Sequence, residues 1–245
     1  MRTEFEIETF KAESLDGIRN CPECQDSANF SCKCQSVYLF EQAAFEACIP
    51  KAFWYTRSSE ISVNKDVFNT YVKKYVTKLN TAHREGYGLV LSGTNGVGKS
   101  TFVSYIAANA IRKGKTAYYT TVPQLDHDMK LGFEDSDLKK KLEVMLTSDF
   151  LVLDEMNKEY SKEMEKASWF KVQLERLLKN RFDENRPVLM ATNARARELS
   201  ETYGPTIASM LAGKYQVVLM HPGDVRPKLH KKMQEQMKYE ESDKE

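Results

Sequence analysis

The stretch Gly93-Thr94-Asn95-Gly96-Val97-Gly98-Lys99-Ser100 follows a short apolar run, Gly88 to Leu91, and leads into a stretch of helical character from Ser100 to Arg112. An apolar strand that enters a glycine-rich turn ending in Lys-Ser and opening a helix is the setting of a phosphate-binding loop. Each residue type has a task there. Gly93 and Gly98 permit backbone angles and a closeness of approach that a Cβ would obstruct. Successive backbone N–H groups through Thr101, together with the helix N-terminus, form a positive cup for phosphate oxygens. Lys99 neutralises the outer phosphates, and the Ser100 hydroxyl supplies an oxygen ligand to Mg²⁺. The competing reading is a glycine-rich turn that matches by accident, and the strand-loop-helix setting argues against it.

The rest of the chain has room for one domain of ordinary size around this loop, since it has 245 residues. Short, mostly apolar runs recur at Gly88 to Leu91, Thr116 to Thr121, Phe150 to Leu153, Pro187 to Thr192 and Tyr215 to Leu219. Helical stretches separate them at Ser100 to Arg112, Ser136 to Leu146 and Trp169 to Phe182. Strand alternating with helix predicts an α/β fold with a central, mainly parallel five-stranded sheet covered on both faces. Upstream, Val63, Val67, Phe68, Tyr71, Val72, Tyr75, Val76 and Leu79 recur at steps of three and four, which predicts one amphipathic helix. Lys plus Arg number 36 and Asp plus Glu 35, so net charge gives no global reason for nucleic-acid binding. The lysine runs at Lys139-Lys140-Lys141 and Lys231-Lys232 could contact phosphate or form solvated helix faces. No apolar run reaches 18 residues and the first twenty look like no leader, so a cytoplasmic protein is expected and no membrane partner.

A hydroxyl and phosphate oxygens do not complete the octahedral shell of Mg²⁺, so a carboxylate is needed nearby. Phe150-Leu151-Val152-Leu153-Asp154-Glu155 supplies one, because a buried strand ends in two acids at the sheet edge where open parallel sheets bind ligands. Asp154 would support Mg²⁺, directly or through water, and Glu155 would polarise the water that attacks the γ-phosphate. The bland alternative is a strand running into an acidic turn. The next strand ends in Thr192-Asn193, where Asn193 could hold the attacking water or sense the γ-phosphate, or could cap the helical stretch Arg195 to Thr202.

Four of the five cysteines lie in Cys21-Pro22-Glu23-Cys24 and Cys32-Lys33-Cys34. Two closely spaced thiol pairs can close a tetrahedral Zn²⁺ site, which would be structural because it keeps no open position. Adventitious reduced thiols are the alternative. Cys48 lies apart and is expected as a small buried residue.

Gly93 to Ser100, Asp154-Glu155, Thr192-Asn193, the upstream Ile49-Pro50 with Phe53, and the Arg181-bearing helix before the fourth strand resemble the AAA+ ATPases that load replicative helicases, the DnaC/DnaI type, with the transposition-associated IstB-like ATPases as close relatives. The resemblance covers roughly residues 49–226 and implies a P-loop NTPase of AAA+ type. It implies an N-terminal zinc-binding, partner-docking module over 1–48, an ATPase domain over 49–227 and a charged tail over 228–245. It further implies ATP as ligand, a replicative DNA helicase and single-stranded DNA as partners, and self-association. A transposition ATPase acting on duplex DNA and an ATP-gated adaptor with little hydrolysis are the alternatives, and the zinc knob could instead bind nucleic acid. The chain departs from the pattern at Ser209-Met210, where relatives carry Ser-Arg. Arg181, Arg195 or Arg197 could substitute for a trans-acting arginine, and Arg226 better fits the one that contacts phosphate within its own subunit, with plain surface charge as the alternative for each. Any helical lid after Leu219 is expected to be a stub.

Overall fold

The computed structural model describes residues 6, 8–10, 32–131, 136–156 and 168–223. The expectations for Cys21, Cys24, Arg226, Lys231-Lys232 and the charged tail lie outside those residues. Five strands, β1 (Gly88–Ser92), β2 (Ala117–Thr121), β3 (Phe150–Asp154), β4 (Val188–Thr192) and β5 (Tyr215–Leu219), form one sheet in the order β2-β3-β4-β1-β5. Every pairing is parallel, so all strands leave the sheet along one edge and the turns that follow them gather there.

The apolar runs are buried on both faces, with a strict period of two. Leu89, Leu91, Phe150, Val152, Leu189 and Ala191 enter one core, and Val90, Leu151, Leu153, Val188 and Met190 enter the other. The first face is covered by α1 (Lys33–Glu46), a broken helical segment from 65 to 85, and α5 (Lys99–Arg112). The second is covered by α6 (Val122–Leu131), α7 (Ser136–Thr147), α8 (Ser168–Asp183), α9 (Ala196–Tyr203) and α10 (Pro205–Lys214). Burying one such aliphatic side chain is worth about 1.5–3 kcal/mol, so these two layers fix the sheet on which the loops stand.

The segment predicted as a single amphipathic helix over Val63 to Leu79 is not one. It divides into α2 (Lys65–Val67), a π-helix (Phe68–Val72), α3 (Lys73–Thr77) and, after a break at Lys78, α4 (Leu79–Glu85). Its apolar residues Val67, Phe68, Val72 and Leu79 still all reach the core, and the wide π-turn shifts the register of the helix to bring them there.

Helix α1 joins the first core through Phe40, Ala44 and the following Ala47. The Arg112 guanidinium of α5 sits 4.0 Å above the Phe40 ring and donates to the Trp54 carbonyl at 2.5 Å. The Ala47 carbonyl accepts the Tyr119 N–H at 2.8 Å, which satisfies a donor on the outer edge of β2. Cys48 is half-buried rather than buried, in left-handed backbone.

Candidate nucleotide site

The loop after β1 has the glycines its path demands. Gly96 and Gly98 sit at φ 79° and 96°, in the left-handed region that favours residues without a Cβ. Gly93 meets a different constraint: a Cβ there would lie 3.1 Å from Met220 Cβ and 3.2 Å from the Met220 carbonyl oxygen. Lys99 opens α5, and its buried side chain folds back so that Nζ donates to the carbonyls of Gly93 and Thr94, each at 2.8 Å. Ser100 follows in the first turn of that helix.

Asp154 is the last residue of β3 and is 3% exposed. It shares strand parity with Phe150 and Val152, so its side chain belongs to the face that α5 covers, the face on which Ser100 begins that helix. Its carboxylate is held from two sides. The Tyr119 hydroxyl donates to Oδ2 at 2.6 Å, and the Glu155 N–H donates to Oδ1 at 2.7 Å. Sequence reasoning missed Tyr119. In the register of β2 and β3, Tyr119 stands opposite Val152, which makes Asp154 its diagonal neighbour and places it within reach of a long aromatic side chain. Burial, then the Asp154 charge, pushes the Tyr119 hydroxyl far above its usual range, so it stays a proton donor to Asp154. Glu155 is exposed and lies at φ 57°, a backbone state that costs a non-glycine residue about 1–3 kcal/mol and persists only where neighbours impose it.

Those neighbours are a set of hydrogen bonds that run across the sheet edge. Met156 N–H donates to the Ala191 carbonyl at 3.1 Å, and the buried Thr192 hydroxyl donates to the Met156 carbonyl. Gly93 N–H donates to the Thr192 carbonyl at 3.1 Å, and Met220 N–H donates to the Ser92 carbonyl at 2.7 Å. The Ser92 hydroxyl donates to the Ala194 carbonyl at 2.7 Å. The turns after β5, β1, β4 and β3 are thereby tied together in sheet order. Asn193 completes the set, because its Nδ2 donates to Oδ1 of Asn95 within the phosphate loop at 2.9 Å. The helix that follows begins at Ala196, and the amide that could have capped it is bonded to the loop instead.

The family model for IstB-like ATP binding proteins matches residues 69–212, more than half of the chain. The chain belongs to this family. The replicative helicase loader DnaI of Bacillus subtilis is 26% identical over 134 residues, which cover 53% of this chain and 42% of that protein. The chain thus spans less than half the length of that relative. The fold matches a crystal structure of the DnaC helicase loader with a TM-score of 0.57 at 19% identity, over 70% of this chain and 100% of that one. It matches a crystal structure of DnaI with a TM-score of 0.59 at 18% identity, over 70% and 94%.

In this member of the IstB-like family, the arginines divide by burial. Arg181 is completely buried and donates to the carbonyls of Met145 (2.6 Å), Ser148 (3.0 Å) and Pro187 (3.0 Å). It closes the C-terminal end of α7, where unsatisfied carbonyls and the negative helix end favour a cation. Burial lowers it to about 10, so it remains charged at neutral pH. The expectation that Arg181 could reach a neighbouring subunit is therefore wrong, because its guanidinium is committed to this structural role. Arg195 and Arg197 are exposed, and Arg197 pairs with Glu201 at 3.0 Å. Met210 packs into the core on the second face.

Asn64 is a second residue that sequence reasoning missed. It lies at φ 49° and touches both the loop and the chain after β5. Its Nδ2 donates to the carbonyls of Val97 (3.2 Å) and His221 (3.3 Å), and its Oδ1 accepts the His221 N–H at 2.7 Å. Of the proposed zinc ligands, Cys32 and Cys34 are half-buried thiols at the start of α1. Both are sulfur donors of the kind a soft divalent cation takes. Among the described residues no group of three or more metal-ligating side chains assembles, and no helix is long and apolar enough to cross a membrane.

Proposed function

We propose that this protein binds ATP with Mg²⁺ and hydrolyses it, and that the cycle places a replicative DNA helicase on single-stranded DNA. The observation that carries the reading is the gathering of Lys99, Ser100, Asp154-Glu155 and Asn193 at one sheet edge, with the phosphate loop hydrogen-bonded to the end of β4. Gly93 to Thr101 wrap the phosphates. Lys99 exchanges its two loop carbonyls for phosphate oxygens, and Ser100 and Asp154 hold Mg²⁺, which supplies charge neutralisation at the β- and γ-phosphates. Tyr119 keeps Asp154 oriented. Glu155, turned off the strand by its left-handed backbone, takes a proton from water, and Asn193 reports the γ-phosphate to the loop through Asn95. Arg226 contacts phosphate from within the subunit.

Likeness to the helicase loaders DnaC and DnaI supports the partner assignment, with the segment before Ile49 as the docking module and Cys21, Cys24, Cys32 and Cys34 as a closed zinc site that stiffens it. Metal analysis of the purified protein should find one zinc per chain. The test of the function is capture of a replicative helicase by the full chain and by a chain beginning at Cys32, which keeps the core contacts of Phe40, Ala44 and Ala47, with turnover measured with and without single-stranded DNA. Helicase binding only by the full chain, and turnover that responds to single strands, is expected. The family match to IstB-like proteins favours a second reading, a transposition ATPase. A preference for duplex DNA in the same turnover assay would select it.

A further inference from the structure

The end of the sheet opposite the nucleotide loop carries a second concavity. A groove of about 510 Å³ opens beside edge strand β5, between the broken helical segment and the starts of β1 and β5. Its described lining holds four tyrosines (Tyr71, Tyr75, Tyr87 and Tyr215), three lysines and no carboxylate. Its walls are set by packing. The Tyr215 ring lies so close over Gly88 that a Cβ there would stand 2.2 Å from Cε1, and the Tyr75 hydroxyl donates to the Tyr87 carbonyl at 2.5 Å. Two tyrosines are left uncovered on this frame, Tyr71 at 38% and Tyr87 at 48% exposure. Lys74 and Lys78 are exposed one and two turns beyond Tyr71, and Lys214 is held above the Phe182 ring at 4.9 Å.

Apolar ring faces edged by cations with no acid between them suit a ligand that is both flat-faced and polyanionic. A single nucleic-acid strand offers this, since its bases stack on aromatic rings while lysines follow its phosphates, whereas a duplex hides its base faces. We propose that this groove binds single-stranded DNA, with Tyr71 and Tyr87 stacking on bases and Lys74 and Lys78 contacting the backbone. The assignment rests on the reading of the chain as a protein that acts on single strands. Gly88 starts β1 and Ser92 ends it, so the groove lies about 13 Å along the strand from the phosphate loop, and DNA can occupy it while the nucleotide site is filled.

The experiment is fluorescence anisotropy of a labelled oligo-dT strand titrated with the full chain across a range of salt concentrations. Tyr71→Ala/Tyr87→Ala should weaken binding at least about ten-fold, and Tyr71→Phe/Tyr87→Phe should restore it. Lys74→Ala/Lys78→Ala should weaken binding and reduce the slope of log affinity against log salt by about 1.4. ATP-dependent thermal shifts equal to wild type in all three variants show that each is folded. Wild-type affinity in the alanine variants would overturn the groove while leaving the functional reading intact. No binding of single strands by wild type would overturn both. Loss of helicase capture in the tyrosine variants with DNA affinity unchanged would assign the groove to a protein partner and overturn the proposal.

Discussion

Asn64 donates to the Val97 carbonyl at 3.2 Å and so ties the phosphate loop to a residue that precedes the whole sheet. The same side chain exchanges two hydrogen bonds with the His221 backbone, so the loop is gripped jointly by the chain before β1 and the chain after β5. At about 0.5–1.5 kcal/mol net for each hydrogen bond, Asn64→Ala should cost about 2 kcal/mol of stability and also weaken ATP binding. Asn64→Gly tolerates the left-handed backbone but loses the same three bonds. Thermal melting with and without ATP should show reduced nucleotide-induced stabilisation in both variants.

Tyr119→Phe removes one donor from the Asp154 carboxylate and leaves the ring in place. A hydrogen bond to a charged group contributes about 1.5–3 kcal/mol. The variant should fold, bind ATP less tightly in Mg²⁺, and lose the difference when binding is measured in EDTA. Isothermal titration with and without Mg²⁺ checks this.

Arg181→Ala would take the guanidinium donor from the buried carbonyls of Met145 and Ser148 and leave the Pro187 carbonyl with the Leu151 N–H alone. The expected loss is about 3 kcal/mol or more, read as a shift in the denaturant midpoint. Arg181→Lys should not recover it, because a single ammonium cannot span donors that the planar guanidinium reaches at once. Turnover per folded molecule should remain near wild type, which a trans-acting role would not allow.

Burial works against ionisation of Asp149, yet the Thr116 N–H and the adjacent His83 outweigh it and hold its carboxyl below the ordinary range. A carboxyl depressed in the folded state contributes stability above its unfolded pKa of about 3.9, and that contribution is lost as pH falls through the folded value. Asp149→Asn should therefore lower the melting temperature at pH 7, and the gap to wild type should narrow below about pH 4.

The fold was legible because its strands are short apolar runs buried on both faces, such as Phe150 to Leu153, and the glycine loop marks where the first of them ends. Helices were less so. In α6 only Val122, Leu125 and Met129 form the buried apolar face, with Asp126 and Asp128 also buried beside them, and in α1 only Phe40 and Ala44 are buried, so each stripe is too short to stand out. The π-turn at Phe68–Val72 preserves burial while breaking the 3.6-residue period, which no count of apolar spacing reveals. In the site, Asp154 and Asn193 could be read from strand ends. Tyr119 and Asn64 could not, because each acts across a register or a chain crossing that exists only once the sheet is assembled. The burial of Arg181 was hidden for the same reason: its partners are main-chain carbonyls, which carry no signature in sequence.

The central claim is that the glycine loop holds ATP while Glu155 activates the water that cleaves it. ATP binding and steady-state phosphate release should be measured together for wild type, Lys99→Ala and Glu155→Gln. The account predicts that Lys99→Ala loses both, while Glu155→Gln keeps ATP affinity and loses turnover by at least about 10²-fold. Turnover at the wild-type rate by Glu155→Gln would contradict it.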